Sequence, residues 1–284
     1  MAEIELDYAV PSADMVDYIT LFYNFRADVP VFEDTERADH AQLRFGILPG
    51  TATYCFADDS TQEAGDLQLI GPTSGATRVR AEGPIEVFGM GLTAAGWAAV
   101  VRSNASSMIN RVVDAGELLG PAVRETLEAL RRTHDFAGRV VRGEALVRAL
   151  IADVDGSAVA FMRQVDDWLG ASASPEIDDL VRVAGLSRRQ VERRCNALYG
   201  APPKLLARKY RALRAVVMLV VEGADVDEAI GRGFYDQSHL IREVKQFTGF
   251  TPCQMRDDPT ALAKLTIGLR HALNGKISPT ISDT

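Results

Sequence analysis

The sequence predicts an α+β protein of two domains, in which a small N-terminal β-barrel or sandwich with helices precedes an all-helical C-terminal domain. Three observations predict this organisation. Short segments of alternating apolar and polar residues follow one another over residues 40–92, and from residue 93 apolar residues recur at helical spacing. A stretch of small residues at 171–175 then separates two helical regions. With 284 residues, the chain is long enough for two domains with separate cores.

The alternating segments are predicted to be the strands of the barrel or sandwich. In the first of them, Leu43 and Phe45 would lie on one face of the strand, and Gln42 and Arg44 on the other. Turn-forming stretches such as GPTSG separate the segments. The sheet would therefore have one apolar face turned toward a core.

Two sets of side chains on these strands are candidates for contact with a small molecule. Arg44, Arg78 and Arg80 alternate along their strands, so they would lie on a solvated face or else meet an anionic effector. Large apolar residues would line an effector pocket or else simply form the core. They are Phe45, Tyr54, Phe56, Phe88 and Met90.

Helices are predicted over about residues 93–170. Thr93 is a suitable N-cap for the first of them, and Pro121 opens a later one, because proline is favoured in the first helical turn. The helices within about 121–169 are amphipathic, a pattern that indicates a homodimer interface. Residues 1–170 are therefore interpreted as a sensor or oligomerisation domain.

Composition is typical of a cytoplasmic protein. No apolar run reaches the roughly 18 residues that a membrane helix needs, and the acidic start resembles no secretory signal. The three cysteines, Cys55, Cys195 and Cys253, are too few and too scattered for a disulfide framework. Charge is uneven along the chain. Residues 1–173 have a net charge of −12 and residues 174–284 a net charge of +4, and such asymmetry favours a polyanionic partner for the second region.

The sequence offers little support for catalysis. Of the four histidines only His40 lies near the strands, and no His-x-His pair is present. Cys55 is alone in its domain, and the stretch GPTSGATR has no lysine of the kind that phosphate-binding loops carry. We therefore expect no catalytic residue, no metal and no cofactor.

Two stretches of the C-terminal region repeat one plan. IDDLVRVAGLSRRQVERRCNALYGAPP and VDEAIGRGFYDQSHLIREVKQFTGFTP each contain a short helix, a turn with glycine, a polar capping residue, an amphipathic helix, a glycine and a proline. This is the helix-turn-helix plan in tandem. In the second copy Leu240, Val244 and Phe247 recur at i, i+4 and i+7 and would face the core, which leaves the polar residues outward.

A long helix, PPKLLARKYRALRAVVMLVV, joins the two copies. About 20 residues at 1.5 Å each give a rod of about 30 Å, close to the ~34 Å between successive major-groove faces of one DNA side. The two units would then enter adjacent major grooves. Phosphate contacts are expected from the basic residues of the rod, which are Arg208, Lys209, Arg211 and Arg214.

The motifs AGLSRRQVERRCNALYGAPPK, GFYDQSH and FTGFTP resemble the DNA-binding domain of the AraC/XylS family of bacterial transcription regulators. The resemblance covers roughly residues 174–257. It implies a cupin-like N-terminal sensor domain, a linker at 171–175, a tandem helix-turn-helix domain over 176–273 and a flexible tail over 274–284. It also implies double-stranded DNA, a homodimer and RNA polymerase as partners. The DNA-contacting residues that it implies, with local capping as the alternative for His239, are Ser187, Arg189, Glu192, Arg193, Gln237, Ser238, His239, Arg242 and Lys245.

Two other functions stay open at the level of sequence. One is an enzyme, metal-dependent or otherwise, that uses the β domain for catalysis and the C-terminal region as a DNA tether. The other is a regulator that binds protein partners in place of DNA. Metal content separates the first from a transcription regulator, and salt-dependent binding to duplex DNA separates the second.

Overall fold

The computed structural model describes residues 3–151 and 156–284. Its N-terminal part contains two antiparallel sheets. The larger sheet has the strand order β1-β2-β9-β4-β7-β10, and the smaller has the order β3-β8-β5-β6. The strands of the described residues are β1 (Glu3–Ala9), β2 (Ile19–Asp28), β3 (Val31–Glu36), β4 (Ala41–Gly46), β5 (Ala52–Cys55), β6 (Thr61–Ala64), β7 (Leu67–Ile70), β8 (Thr77–Glu82), β9 (Ile85–Leu92) and β10 (Val112–Asp114).

The larger sheet is covered on both faces. On one side, Leu43 and Phe45 of β4 belong to a core that also contains Leu127 and Val147 from helices packed on that face. The opposite side faces the smaller sheet. Burial on both faces removes the alternation that one-sided sheets show, so all of β7 and nearly all of β4 are buried.

The sheets extend beyond the predicted strand region at residues 40–92. Strands β1, β2 and β3 precede residue 40, and β10 follows residue 92. The sequence of β2, ITLFYNFRAD, has a run of apolar and aromatic residues, and its first four residues are all buried. Because a strand buried on both faces lacks a period of two, its pattern could not be told from that of a helix.

Helices after residue 93 follow the prediction closely at their caps. Thr93 accepts a hydrogen bond from the backbone N–H of Gly96 and caps the first helix, and Pro121 lies in the first turn of another. A 3-10 helix spans Ala105–Met108. The α-helices of this part are α1 (Ala94–Val100), α2 (Ala115–Leu119), α3 (Pro121–Arg131), α4 (Phe136–Leu150) and α5 (Gly156–Ala171).

The C-terminal part is entirely helical in the described residues, apart from one isolated bridge. Two apolar clusters lie beneath the two helix-turn-helix units, and the helix Pro203–Val220 contributes to both. The first cluster also contains buried residues of α1 and α5. None of the described helices is both long and apolar enough to cross a membrane. The helices are α6 (Ile177–Ala184), α7 (Arg188–Tyr199), α8 (Pro203–Val220), α9 (Val226–Gly231), α10 (Gln237–Thr248), α11 (Pro252–Asp257), α12 (Ala261–His271) and α13 (Pro279–Ser282).

Residues 274–284, predicted as a flexible tail, are packed in the structure. The Ser278 hydroxyl accepts a hydrogen bond from the N–H of Thr280 and caps α13. Ile281 and Ser282 are buried, and α13 packs on α5. The prediction overlooked that Ser278 and Pro279 form a helix start and that Ile281 supplies an apolar anchor.

The two parts of the chain are in direct contact. The N–H of Ala38 donates to the carbonyl of Phe247 at 2.7 Å, and the N–H of Ala76 donates to the carbonyl of Gln246 at 3.0 Å. Helix α12 packs on β1 and β3. The C-terminal end of α10 and the whole of α12 are therefore docked on the N-terminal sheets.

Candidate nucleic-acid interface

The first helix-turn-helix unit consists of α6, a tight turn and α7. Gly185 ends α6 with a φ of 63°, a left-handed conformation that glycine adopts without strain. Ser187 and Gln190 then form a capping box at the start of α7. The predicted cap is confirmed. The Ser187 hydroxyl, which the resemblance also implies as a DNA contact, is used within the protein by this capping box.

The second unit consists of α9, its turn and α10. The Asp236 carboxylate caps α10 by accepting from the N–H of His239 at 2.7 Å. The ring of His239 folds back over the turn, where Nδ1 accepts from the N–H of Tyr235 at 3.2 Å and Nε2 lies 3.4 Å from Glu243 Oε1. With both ring nitrogens engaged inside the unit, the geometry favours a structural role for His239 over a phosphate contact.

Both recognition helices keep an apolar face inward and a polar face in solvent. In α7 the inner residues are Val191, Cys195 and Leu198, and in α10 they are Leu240, Val244 and Phe247, as the spacing predicted. The outer residues of each helix are exposed, and among the described residues the side chains of Arg193 and Arg242 have no hydrogen-bond or ion-pair partner. The remaining exposed residues of the predicted set are Arg189, Glu192, Gln237, Ser238 and Lys245.

Two exposed side chains of the second unit escaped the sequence analysis. Tyr235, in the turn just before α10, is 91% exposed. Ile241 lies on the outer side of α10 and is 36% exposed. For Ile241 a signal was available, because it stands four residues after Gln237 and four before Lys245 and therefore shares their face.

The joining helix is close to the predicted rod. Helix α8 has 18 residues, which corresponds to about 27 Å at 1.5 Å per residue. It carries the inner sides of both units, and Leu206 and Tyr210 pack in the first while Leu213 and Val216 pack in the second. The spacing of the two units is therefore set by one continuous helix.

The four basic residues of α8 that were expected to contact phosphates make contacts within the protein instead. Arg208 and Arg211 bind the buried carboxylate of Glu243 in α10, at 2.5 Å and 2.7 Å. Lys209 is buried with its Nζ 5.5 Å from the ring centre of Tyr210, and burial lowers its pKa to about 8.

Arg214, the last of the predicted phosphate contacts, donates to the carbonyl of Leu169 at 2.7 Å. The three arginines thus hold the rod against its neighbours, whereas the contact of Lys209 lies within α8 itself. The sequence could not reveal the role of the arginines, because their partners lie on other elements.

A second feature is a cavity of about 130 Å³ between the two sheets, closed on one side by the C-terminal part. Of the five residues predicted to line an effector pocket, only Tyr54 lines this cavity. Phe45, Phe88 and Met90 are fully buried in the core between the larger sheet and the helices. Phe56 belongs to a small cluster beside the smaller sheet. For these four residues, core packing is the observed role.

Most polar groups of the cavity are paired. Arg44, predicted to lie on a solvated face or to meet an anion, is buried and donates to Glu36 at 2.8 Å and to Gln42. Burial alone would lower the pKa of Arg44, but Glu36, Tyr23 and Tyr54 together outweigh burial and raise the pKa. The phenol of Tyr23 donates to Gln42 at 2.7 Å, so this wall forms one connected network.

Arg37 is different, because its Nε and one terminal nitrogen are buried without a hydrogen-bond partner among the described residues. Arg37 lines the cavity beside Arg270, which is itself paired with Asp39 at 2.6 Å. Burial, together with the nearby Arg270 charge, lowers the pKa of Arg37 to about 10. The guanidinium is therefore still charged at neutral pH. The cavity has an apolar interior, and Arg37 shares the charge of Asp39 with Arg270 and has no ion pair of its own among the described residues.

The two units, each with a docked inner face and an exposed polar face, define a tandem helix-turn-helix domain. The chain matches the family model described as a helix-turn-helix domain over residues 180–258, and this domain is of the AraC type. The resemblance to the AraC/XylS family is thereby confirmed for the C-terminal region. No curated protein sequence shows significant similarity to the chain.

Solved structures of ToxT from Vibrio cholerae show a distant likeness. ToxT from strain O395 is 12% identical, with a TM-score of 0.45 and coverage of 84% of this chain and 98% of that one. Wild-type ToxT from strain SCE256, bound to an unsaturated fatty acid, is 11% identical, with a TM-score of 0.45 and coverage of 82% and 94%. Values this low carry no conclusion about function or ligands.

Proposed function

We propose that the protein is a sequence-specific DNA-binding transcription regulator whose two helix-turn-helix units read adjacent major grooves. One observation carries the proposal. Two short helices, held by a single helix about 27 Å long, each present exposed side chains that have few partners within the protein. A recognition helix needs such a free polar face, because residues already paired within the protein cannot bind base edges without losing those bonds.

The exposed residues have the chemistry for base recognition. Arg193 and Arg242 can each donate two hydrogen bonds to guanine O6 and N7, and Gln237 can pair with adenine N6 and N7. Glu192 can accept from cytosine N4, although it also lies 3.9 Å from Arg188. Lys245 is suited to a phosphate, since its ammonium group is a point charge on a flexible stem.

The N-terminal part is proposed to sense an effector and to mediate dimerisation. We assign residues 1–170 to this role, 171–175 to the linker and 176–273 to DNA binding. The cavity between the sheets supports an effector that combines an apolar body with an anionic group, which would accept hydrogen bonds from the two buried nitrogens of Arg37 that have no partner among the described residues. The body would lie against apolar lining residues such as Phe32, Val79 and Ile85. The apolar faces of the helices within about 121–169 pack inside the chain, so a homodimer would form through their outer faces. This homodimer and contact with RNA polymerase complete the proposal.

DNA recognition is tested by selecting bound duplexes from a random pool with the full chain. Replacement of Arg193 or Arg242 by alanine should lower affinity for the selected duplex by roughly 5- to 150-fold, which corresponds to about 1–3 kcal/mol. Arg80→Ala is the matched control, because Arg80 is an exposed arginine of β8, outside the recognition helices and outside the helices proposed to dimerise. Affinities of both variants equal to that of the control would reject the base-reading assignment.

The effector is tested by thermal unfolding in the presence of hydrophobic carboxylates. Octanoate should raise the melting temperature, because a ligand that binds only the native state stabilises it, whereas octanol should have less effect. In Arg37→Met, octanoate and octanol should raise the melting temperature by the same amount. Arg80→Met, which changes an exposed arginine of β8, should leave the difference between octanoate and octanol intact. Equal stabilisation by octanol and octanoate would rule out an anionic effector at Arg37.

The alternative of a metal-dependent enzyme has no specific support in the described residues. They contain no group of three or more His, Cys, Asp or Glu side chains placed to hold a metal ion. Metal analysis of the purified protein tests this alternative directly, and a stoichiometric transition metal would reopen it.

A further inference from the structure

One apolar side chain interrupts the polar outer face of α10. Gln237, Ile241 and Lys245 are spaced four residues apart and therefore share one stripe of the helix, with Ser238 and Arg242 alongside. All of them are exposed, and Ile241 is the apolar member. Ile241 belongs to none of the hydrophobic clusters formed by the described residues. Its side chain therefore does not serve the core.

Isoleucine is not the residue that helix propensity alone would favour at this position. Isoleucine has a lower helix propensity than alanine, leucine or lysine, because its branched side chain is restrained by the preceding turn. Its exposed apolar surface also stays in contact with water. A contact outside the chain would explain both features, and the position in the middle of a recognition face suggests where that contact lies.

The two recognition helices are in register. Helix α7 begins at Arg188 after the cap Ser187, and α10 begins at Gln237 after the cap Asp236. Glu192 and Ile241 are therefore both the fifth residue of their helices. Arg193 and Arg242 follow them in both units. The two units thus present the same guanidinium but differ in chemistry at the preceding position.

We infer that Ile241 reads the C5-methyl group of a thymine in the major groove that receives the second unit. Thymine presents a methyl group there, whereas cytosine presents an amino group that isoleucine cannot accept a hydrogen bond from. At the matching place in the first unit, Glu192 can accept such a bond. The DNA site should therefore consist of two different half-sites, with cytosine favoured opposite Glu192 and thymine opposite Ile241. This inference rests on the proposed function, since it requires that both units bind DNA.

Deoxyuridine tests the inference, because it pairs like thymidine but has no C5-methyl group. A duplex selected from the random pool is prepared with each thymine of the second half-site replaced in turn by deoxyuridine. Binding to the full chain should weaken by about four-fold at one thymine, which corresponds to about 0.8 kcal/mol for one buried methyl-sized group. Ile241→Ala should bind the thymine and deoxyuridine duplexes equally well.

Two further variants make the outcome specific. Ile241→Val keeps a branched apolar end and should retain the preference for thymine over deoxyuridine. Val16→Ala, which shortens an exposed valine in the turn before β2 of the N-terminal part, should behave like the unchanged protein. Sequence-specific binding without any deoxyuridine effect, or with an effect that persists in Ile241→Ala, would overturn the inference and leave the proposed function standing. A failure to select any specific duplex would overturn both.

Discussion

Glu243→Gln tests the contact that holds the second recognition helix on the rod. Glu243 is only 3% exposed, and its carboxylate accepts from Arg208 and Arg211 of α8. Glutamine keeps the shape and one acceptor oxygen but removes the charge. The two guanidinium groups then lose their counter-charge, and that of Arg211 is 12% exposed and cannot be fully hydrated.

The expected cost follows from these burials. Breaking a fully buried ion pair costs about 3–5 kcal/mol, but Arg208 is 36% exposed and can regain water, so its share is smaller. Hydrogen bonds to a charged group exceed neutral ones by about 1 kcal/mol each. We therefore expect Glu243→Gln to lose about 1–2 kcal/mol and Glu243→Ala about 3 kcal/mol of the free energy of unfolding.

The effect has a defined pH dependence. Burial raises the pKa of Glu243, but hydrogen bonds from Arg208 and Arg211 outweigh burial, so the net pKa lies below its ordinary value. The stabilisation is then present above the unfolded pKa of about 4.3 and is lost as the pH falls through the folded pKa. The stability gap between the unchanged protein and Glu243→Gln should narrow below about pH 4.

Urea unfolding and amide hydrogen exchange measure the two consequences. The variant should unfold at a lower urea concentration than the unchanged protein. The substitution should also accelerate amide exchange in α10 more than in α7. Glu125→Gln is the control, because Glu125 is an exposed glutamate of α3. If Glu243→Gln and Glu125→Gln unfold alike and α10 exchanges normally, the network does not hold the recognition helix.

Three other changes test the sheet, the domain contact and a buried acid. Gly89→Ala would place a Cβ 2.3 Å from Cζ of Tyr23, so we expect a loss of about 1–3 kcal/mol in thermal unfolding. Arg270→Met leaves Asp39 buried without its 2.6 Å partner and should make α12 more sensitive to limited proteolysis, an effect absent if the pair is dispensable. Burial raises the pKa of Asp166 to about 7, above its unfolded value, so its contribution to stability is lost as the pH rises through 7. Asp166→Asn should therefore gain in melting temperature over the unchanged protein from pH 5 to pH 8, and an equal gain at both pH values would contradict the assignment.

The C-terminal fold could be predicted because its signals are local. Ser187 with Gln190 forms the predicted start of a helix, and Gly185 and Gly200 end helices in left-handed conformations. Apolar residues at i, i+4 and i+7 identified both inner faces. Each of these signals lies within about 12 residues of sequence, the length over which capping and helical period operate.

The N-terminal fold and the cavity could be predicted only in part, because their determinants are not local. Strand β2, whose first four residues are all buried, lacks a clear period of two. The cavity brings together residues such as Arg44, Tyr54 and Thr266, from two sheets and a C-terminal helix. The partner of Arg44 is Glu36, on a strand that the pattern did not indicate. In the sequence, a charged residue of an alternating strand looks solvent-exposed, because the pattern does not show that a second sheet covers its face.

The second unit is tethered to the sheets by main-chain atoms, through the amides of Ala38 and Ala76 and the carbonyls of Phe247 and Gln246. Every residue except proline supplies the same amide, so this attachment is insensitive to which side chains surround it. Related sequences could therefore change the side chains around these two hydrogen bonds and still keep the bonds. Alanine substitutions at the same positions would leave both bonds in place and would not reveal them. Proline at 38 or 76 would remove one N–H donor, and with it one of the two hydrogen bonds between the second unit and the sheets.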